Sequence, residues 1–401
     1  KMTFKGGYPE NAKGTDLSGR DPETNVTTIS GQEKRRLFFV RYYSDITFDG
    51  IVLADGWVNT NGGALLFNES KTSRVTFNNC DFANNKSTGS AYGGAICCSK
   101  AADAGILTFT GCKFSQNNSA STGGVIYAAN TSGSISFTDC EFTENTSVHN
   151  GGVAWLNPVT SATFTGCKFT SNGVTGNNVG GAIYLSGATG LTIDECSFVG
   201  NFAGDRGGVL YNSGASTITI TDSEFSSNTA SANNGNEGAG AIYTSSSPTI
   251  TIGGKTVTGK TVFKNNVSGT SGGAIWATGT PKVTINGAIF EGNVAQKNEA
   301  GAILFKGGTW TIENTTIKNN KAKSNGGAIY AHTGSLTVKD SDFEGNETTE
   351  GSVGGGAIYV TTNATISVEG STFASNKAKG SYTSGNNTVY RKGGAIAMAN
   401  T

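Results

Sequence analysis

The chain has 401 residues, room for two or three ordinary domains or one long repeat array. Lysine plus arginine and aspartate plus glutamate total 29 each, so the formal charge is zero; no basic excess points to nucleic acid and no acidic tail is present. No stretch of roughly 18 apolar residues occurs, which excludes a helical membrane span. Apolar residues make up only 36%, and glycines number 59. Such a composition suits disorder, but the large apolar residues recur at regular spacing, and that argues for a fold.

Residues 1–45 break this rhythm. They are expected to form an N-terminal cap over the first coil of a repeat array, whose open end would expose core and unpaired strand edges. Within the cap, "RLFFVRYY" (Arg36 to Tyr43) reads as a strand.

From about residue 46 to 401 two markers alternate. One is a glycine pair followed by Ala or Val and an aliphatic residue: "GGALL" at Gly62, "GGAIC" at Gly93, "GGVIY" at Gly123, "GGVAW" at Gly151, then Gly180, Gly207, Ala239, Gly272, Ala300, Gly326, Gly355 and Gly393. These twelve are mostly 26 to 33 residues apart. The other marker is Phe-x-x-Asn, whose asparagines are Asn85, Asn117, Asn145, Asn172, Asn201, Asn228, Asn266, Asn293, Asn320, Asn346 and Asn376.

The residues before each Asn alternate as strands do. In "VTFNNCDF", Val75 and Phe77 share one face, "NN" is a bend, and Cys80 and Phe82 return inward. Later coils carry "TG", "TD", "DE", "NG" or "KD" at the bend, which is turn chemistry. Strand, bend, strand, loop and strand, with no helical periodicity, predict an all-β fold: a parallel β-helix of about twelve coils, a rod about 55–60 Å long. Phe82, Phe114, Phe142, Phe169, Phe198, Phe225, Phe263, Phe290, Phe343 and Phe373 are expected to stack internally, with Leu53 and Ile317 as substitutes. The asparagines should form a buried, mutually hydrogen-bonded ladder at a turn. Sequons such as Asn85-Lys-Ser and Asn145-Thr-Ser fall on that ladder, so they read as chance matches.

The candidate sites divide into scaffold and surface. Cys80, Cys112, Cys140, Cys167 and Cys196 share one inward position. An in-line stack does not converge as chelating ligands do, and parallel side-chain vectors suit a disulfide badly, so these read as reduced core thiols. No metal or cofactor is expected. The outward Asp81, Lys113, Glu141 and Lys168 alternate in sign and read as cross-strand charge pairs. His149 and His332 lie some coils apart, and no matched pair of carboxylates stands out on adjacent coils, so an enzyme is not expected. After each glycine pair, the fourth residue is Ile or Leu in eleven of twelve coils and the sixth is mostly apolar. Both should face inward. The fifth then faces outward: Tyr127, Trp155, Tyr184, Tyr211, Tyr243, Trp276, Tyr330 and Tyr359 are predicted to form an exposed aromatic ladder that could bind a partner or sugars.

The alternating Phe-x-x-Asn and Gly-Gly-Ala-(Ile/Leu/Val) markers resemble the passenger region of the chlamydial polymorphic outer-membrane proteins. The stretch "GGYPENAKGTDLSGRDPETNVTTISG", Gly6 to Gly31, instead resembles the leading segment of right-handed β-helix surface proteins of Bacteroidetes. Both resemblances imply right-handed coils and a secreted or cell-surface location, and the first implies adhesion, with a host-cell or neighbouring-cell protein or glycan as partner. The chain stops in mid-coil at "GGAIAMANT", and further domains of the same chain are expected beyond Thr401. The resulting expectation is a non-enzymatic surface adhesin or stalk. The alternative is a carbohydrate-binding module or a polysaccharide-degrading β-helix enzyme, on fold analogy and the aromatic ladder.

Overall fold

The computed structural model of the chain describes residues 1–10, 12, 19–41, 45–68, 74–98, 106–129, 133–187, 190–233, 237–256, 260–350, 354–379, 381–384, 387–390 and 393–399. Every regular element among them is a β-strand. The strands belong to two compact units, one made of Lys1–Gly176 with Ala182–Gly190, the other of Asn177–Gly181 with Leu191–Thr401.

One coil of the first unit displays the build. Ile106–Thr110 runs into a bend and Lys113–Ser115 leaves it; Asn118–Ser119 follows a second bend, and Ile126–Ala129 follows the glycine pair. Each strand is parallel to, and in register with, its counterparts in the adjacent coils. Phe109 lies opposite Phe77 and Phe137, Phe114 opposite Phe82 and Phe142, and Ser119 opposite Ser87 and Ser147. Like side chains therefore meet at the strand spacing of roughly 4.8 Å. The strand after the glycine pair and the strand before the first bend share one sheet; the other two strands belong to a sheet each. The second unit is built the same way. In two of its coils the strands of the shared sheet run on without a break, as Ile303–Glu313 and Ile329–Lys339.

Both bends turn on single residues in the left-handed region, where Gly, Asn and Asp are least strained. The first carries Asn79, Gly111, Asp139 and Gly166 in one unit, and Asp222, Gly287, Asn314, Asp340 and Gly370 in the other. The second bend places a left-handed residue directly before each ladder asparagine, for example Gln116 at φ 55° and Ser171 at φ 54°. The asparagine then supports the turn. The backbone N–H and Nδ2 of Asn117 both donate to Oδ1 of Asn145, at 3.0 and 2.9 Å, and Nδ2 also donates to the Phe82 carbonyl at 2.8 Å. The first unit holds Asn85, Asn117, Asn145 and Asn172 in this pattern. The second holds Asn201, Asn228, Asn266, Asn293, Asn320, Asn346 and Asn376. All but Asn376 are fully buried, and the sequon residues Asn85 and Asn145 are among them.

The coil interior is filled by the predicted aromatics. Phe82, Phe114, Phe142 and Phe169 stack in the first unit, with ring centroids 4.5–4.8 Å apart. Phe198, Phe225, Phe263 and Phe290 stack in the second at 4.7–4.8 Å, Ile317 follows, and Phe343 stacks on Phe373. A second stack, Phe4–Phe48–Phe77–Phe109–Phe137–Phe164, runs beside the first and meets it edge-on, as between Phe109 and Phe114. In the second unit this position is aliphatic: Ile220, Ile252, Ile285, Ile312 and Val338.

Residues 1–45 contribute strands of their own. Met2–Lys5 pairs with Asp45–Asp49, Thr27–Ser30 with Ile51–Ala54, and Phe38–Arg41 with Leu65–Asn68, all parallel and in register. Residues 42–44, at the end of the predicted Arg36 to Tyr43 strand, lie outside the described residues.

Candidate binding surface

A Gly-Gly pair, or Ala-Gly before Tyr243, opens each strand that carries a fifth-position aromatic. The first glycine is left-handed (Gly123, φ 69°); the second lies where a Cβ would stand 2.0 Å from the carbonyl oxygen of Gly152 in the next coil. This close approach sets the phase of the strand that follows. Ile126 and Ala128 are fully buried in the interior, and alternation turns Tyr127 to the opposite side.

The aromatic ladder exists, but it is not an exposed one. Tyr127, Trp155, Tyr184, Tyr211 and Tyr330 are half-buried, whereas Tyr243, Trp276 and Tyr359 are buried, at 2%, 2% and 5% exposure. The prediction of an open ladder fails because neighbouring groups cover the rings: Tyr92, just before Gly93, stacks on Tyr127, and Glu237, just before Ala239, bonds the Tyr243 phenol. Ala239 and Ala300, which replace the first glycine, pack with Tyr243, Trp276 and Leu304, and Tyr211 and Tyr330 flank the cluster. The rings also cover one another. Tyr92, Tyr127, Trp155 and Tyr184 form one stack in the first unit, with centroids 4.5, 4.4 and 5.8 Å apart. Tyr211 stacks on Tyr243 and Tyr330 on Tyr359 in the second. A sugar ring stacks on an aromatic face, so a ladder stacked on itself presents edges rather than platforms.

In the second unit the ladder carries charge. Tyr243 Oη donates to Glu237 Oε2 at 2.6 Å, and the Arg206 guanidinium lies over the Tyr243 ring at 5.3 Å. Arg206 also approaches Glu237 and Asp205, at 3.5 and 3.3 Å. Lys306 sits over the Trp276 ring at 4.8 Å and 3.9 Å from Glu237. Trp276 Nε1 is buried and makes no hydrogen bond. Burial, then the Glu237 hydrogen bond and charge, push the Tyr243 phenol well above its ordinary pKa. Arg206, Glu237 and Lys306 escape a motif search because each occurs once. Their signal is a charge beside the glycine pair, in "DRGGVLY", "NEGAGAIY" and "AGAILFK".

A second group missed in the sequence is Lys255. It reaches Asp194 and Glu195 at 2.5 and 3.1 Å, and Thr221 Oγ1 donates to Asp194 at 2.6 Å. The lysine thus bridges two adjacent carboxylates and offsets one of their two charges. Among the outward charges, Lys168 pairs with Glu141 at 3.1 Å, and the register sets Lys113 between Asp81 and Glu141. His149, in the first unit, lies 3.4 Å from Ser121 Oγ; His332, in the second, tilts against Tyr330. All seven cysteines are buried thiols. Among the described residues no three His, Cys, Asp or Glu side chains are grouped to hold a metal ion, and no helix is long and apolar enough to cross a membrane.

Parallel in-register coils of three faces, with an asparagine ladder at one turn, define a parallel β-solenoid of about 11 turns. The family model of the right handed beta helix region matches residues 26–223, 100–261 and 255–393. The chain belongs to that family. No curated protein and no solved structure matches it.

Proposed function

We propose that the chain is a non-enzymatic β-helix of a bacterial surface or a secreted protein, acting as an adhesive or structural scaffold. The observation that supports this is the division of labour within a coil. Ladder asparagines bond one another across separations of 26 to 38 residues while the strands that flank the ladder keep their register. All the variation is taken up by the loops, and variable loops on a fixed scaffold are where specificity resides. The repeats' resemblance to the chlamydial passenger region favours adhesion. Lys377 to Lys392 is the loop to test first; it includes a hairpin of Ser381–Ser384 with Asn387–Tyr390. Purified chain should adhere to cells or immobilised glycans, and exchanging this loop for a short turn should reduce adhesion without loss of folding. Unchanged adhesion after exchange of every long loop would sink the proposal.

The alternative, a carbohydrate-binding or polysaccharide-degrading β-helix, draws support from the cluster of Arg206, Glu237, Tyr243, Trp276 and Lys306, where two cations and an unbonded indole N–H sit together. A glycan array with wild type and Arg206→Ala, and a depolymerisation assay with Glu237→Gln, separate the two. Array binding lost in Arg206→Ala, or chain cleavage lost in Glu237→Gln, would establish the alternative.

A further inference from the structure

The position just after the first bend is filled differently in the two units. In the first it is Cys80, Cys112, Cys140 and Cys167. In the second, after Cys196, it is Ser223, Thr261, Ala288, Thr315, Ser341 and Ser371. The hydroxyls close the bend: Ser223, Thr315 and Ser341 each donate to the carbonyl two residues back, at 2.7 Å. The thiols make the same contact less well. Cys80 and Cys140 reach Asn78 and Thr138 at 3.3 Å, and Cys167 reaches Thr165 at 3.4 Å. Oxygen therefore meets the scaffold's need at this position, and the run of sulfur calls for another reason.

The register supplies one. Lys113 is opposite Asp81 and Glu141, and Glu141 is opposite Lys168, so the cysteines immediately before them are neighbours in successive coils. Strands stand roughly 4.8 Å apart, and two metal–sulfur bonds of roughly 2.3 Å laid end to end span about 4.6 Å. The thiol of Cys112 interacts with those of Cys80 and Cys140, and that of Cys140 with Cys167 as well. A tetrahedral ion such as zinc needs four converging ligands, which an in-line stack does not provide. A linear, two-coordinate ion needs only two sulfurs facing each other, and soft thiolates select soft monovalent ions such as Cu(I).

We propose that the cysteine stack of the first unit is a binding site for a soft monovalent d10 cation of the Cu(I) or Ag(I) type, one ion lying between each pair of neighbouring sulfurs. The four thiols make three such pairs: Cys80 with Cys112, Cys112 with Cys140, and Cys140 with Cys167. Each ion displaces one thiol proton to solvent, and the inner sulfurs bridge two ions. Three ions and three lost protons leave four sulfurs with one S–H and no net charge, which matters because a buried net charge is costly. Entry occurs through local opening of the coils, and bound ions stabilise the closed form by mass action.

The test is anaerobic titration of the whole chain with Ag(I), followed by exchange against a small thiol competitor and native mass spectrometry. Wild type should retain three more ions than the Cys112→Ser/Cys140→Ser variant, release one proton per retained ion, and melt at a higher temperature when loaded. Serine already occupies this position in the second unit, so the variant has a precedent for folding. Should it nevertheless fail to fold, Cys140→Ser alone removes two of the three pairs and should retain two fewer ions. Cys97→Ser/Cys98→Ser, at thiols outside the stack, should lose none of the three. Equal retention by wild type and the stack variants, loss of the three ions in the Cys97/Cys98 variant, or a melting temperature lowered by Ag(I) would each overturn the assignment.

Discussion

The ladder asparagine shows how much one residue can carry. Asn117 Oδ1 accepts the backbone N–H and Nδ2 of Asn85, while its own Nδ2 serves a carbonyl and the next amide. Asn117→Ala orphans these buried groups, at roughly 1–3 kcal/mol each where water cannot enter. We expect a loss of about 3 kcal/mol in denaturant unfolding, against under about 1 kcal/mol for Asn376→Ala, which is half-exposed. Equal losses at the two sites would contradict a cooperative ladder. The tyrosines give the pH dependence. Burial pushes Tyr127 and Tyr330 up to about 12. Their folded pKa values exceed the unfolded value of about 10, so the folded state holds these protons longer. The stability they contribute is complete below about pH 10 and falls as the pH rises toward 12. Phenolate absorbance should therefore develop in two stages, the second coinciding with unfolding; a single transition near pH 10 in a folded chain would refute this.

At the scale of the strand and its turn, the second glycine of each pair governs stacking. Gly124→Ala places a methyl against the Gly152 carbonyl, and coils can relieve that only by separating. We expect a loss of roughly 2–3 kcal/mol, as for other overpacked interiors, whereas Gly89→Ala, with open space around its Cβ, should lose only the roughly 1 kcal/mol of strain that its left-handed backbone at φ 70° imposes. Trp155→Ser removes two ring stacks and should lower stability by about 2 kcal/mol with the β-sheet circular dichroism spectrum retained. Collapse of the fold would place the indole in the interior instead. These turns and strands were largely legible in the sequence. Alternation around Phe77 and Phe82, the Asn/Asp/Gly bends and the repeated Phe-x-x-Asn each report a local constraint that recurs in every coil. The cover over Tyr243 and Trp276 was not legible, because alternation tells which side of a strand a ring takes but not what folds onto that side. Arg206, Glu237 and Lys306 were hidden for a related reason: they meet only after four successive coils, those of Gly207, Ala239, Gly272 and Ala300, are stacked, and none of them repeats.

At the scale of the whole molecule, each strand of a coil pairs only with its counterparts in the adjacent coils, so stability is close to a sum of coil and interface terms. Amide exchange should be slowest in the middle of a unit, at Asn266 and Asn293, and fastest toward Asn376 in the same unit. Uniform protection along the ladder would indicate a single all-or-none domain instead. The right-handed β-helix family accommodates both enzymes and non-enzymes, and the division between fixed strands and variable loops is the feature on which the adhesive reading rests.

The ladder's indifference to the length of chain between its rungs has a practical meaning. Asn228 and Asn266 are 38 residues apart and Asn320 and Asn346 only 26, yet both pairs bond at 2.9 Å. Within a unit the coil is a ruler graduated by hydrogen bonds and not by residue count. A foreign peptide grafted into a loop before a glycine pair would be held at a fixed mark on that ruler, and several different peptides could be displayed at chosen intervals of one strand spacing.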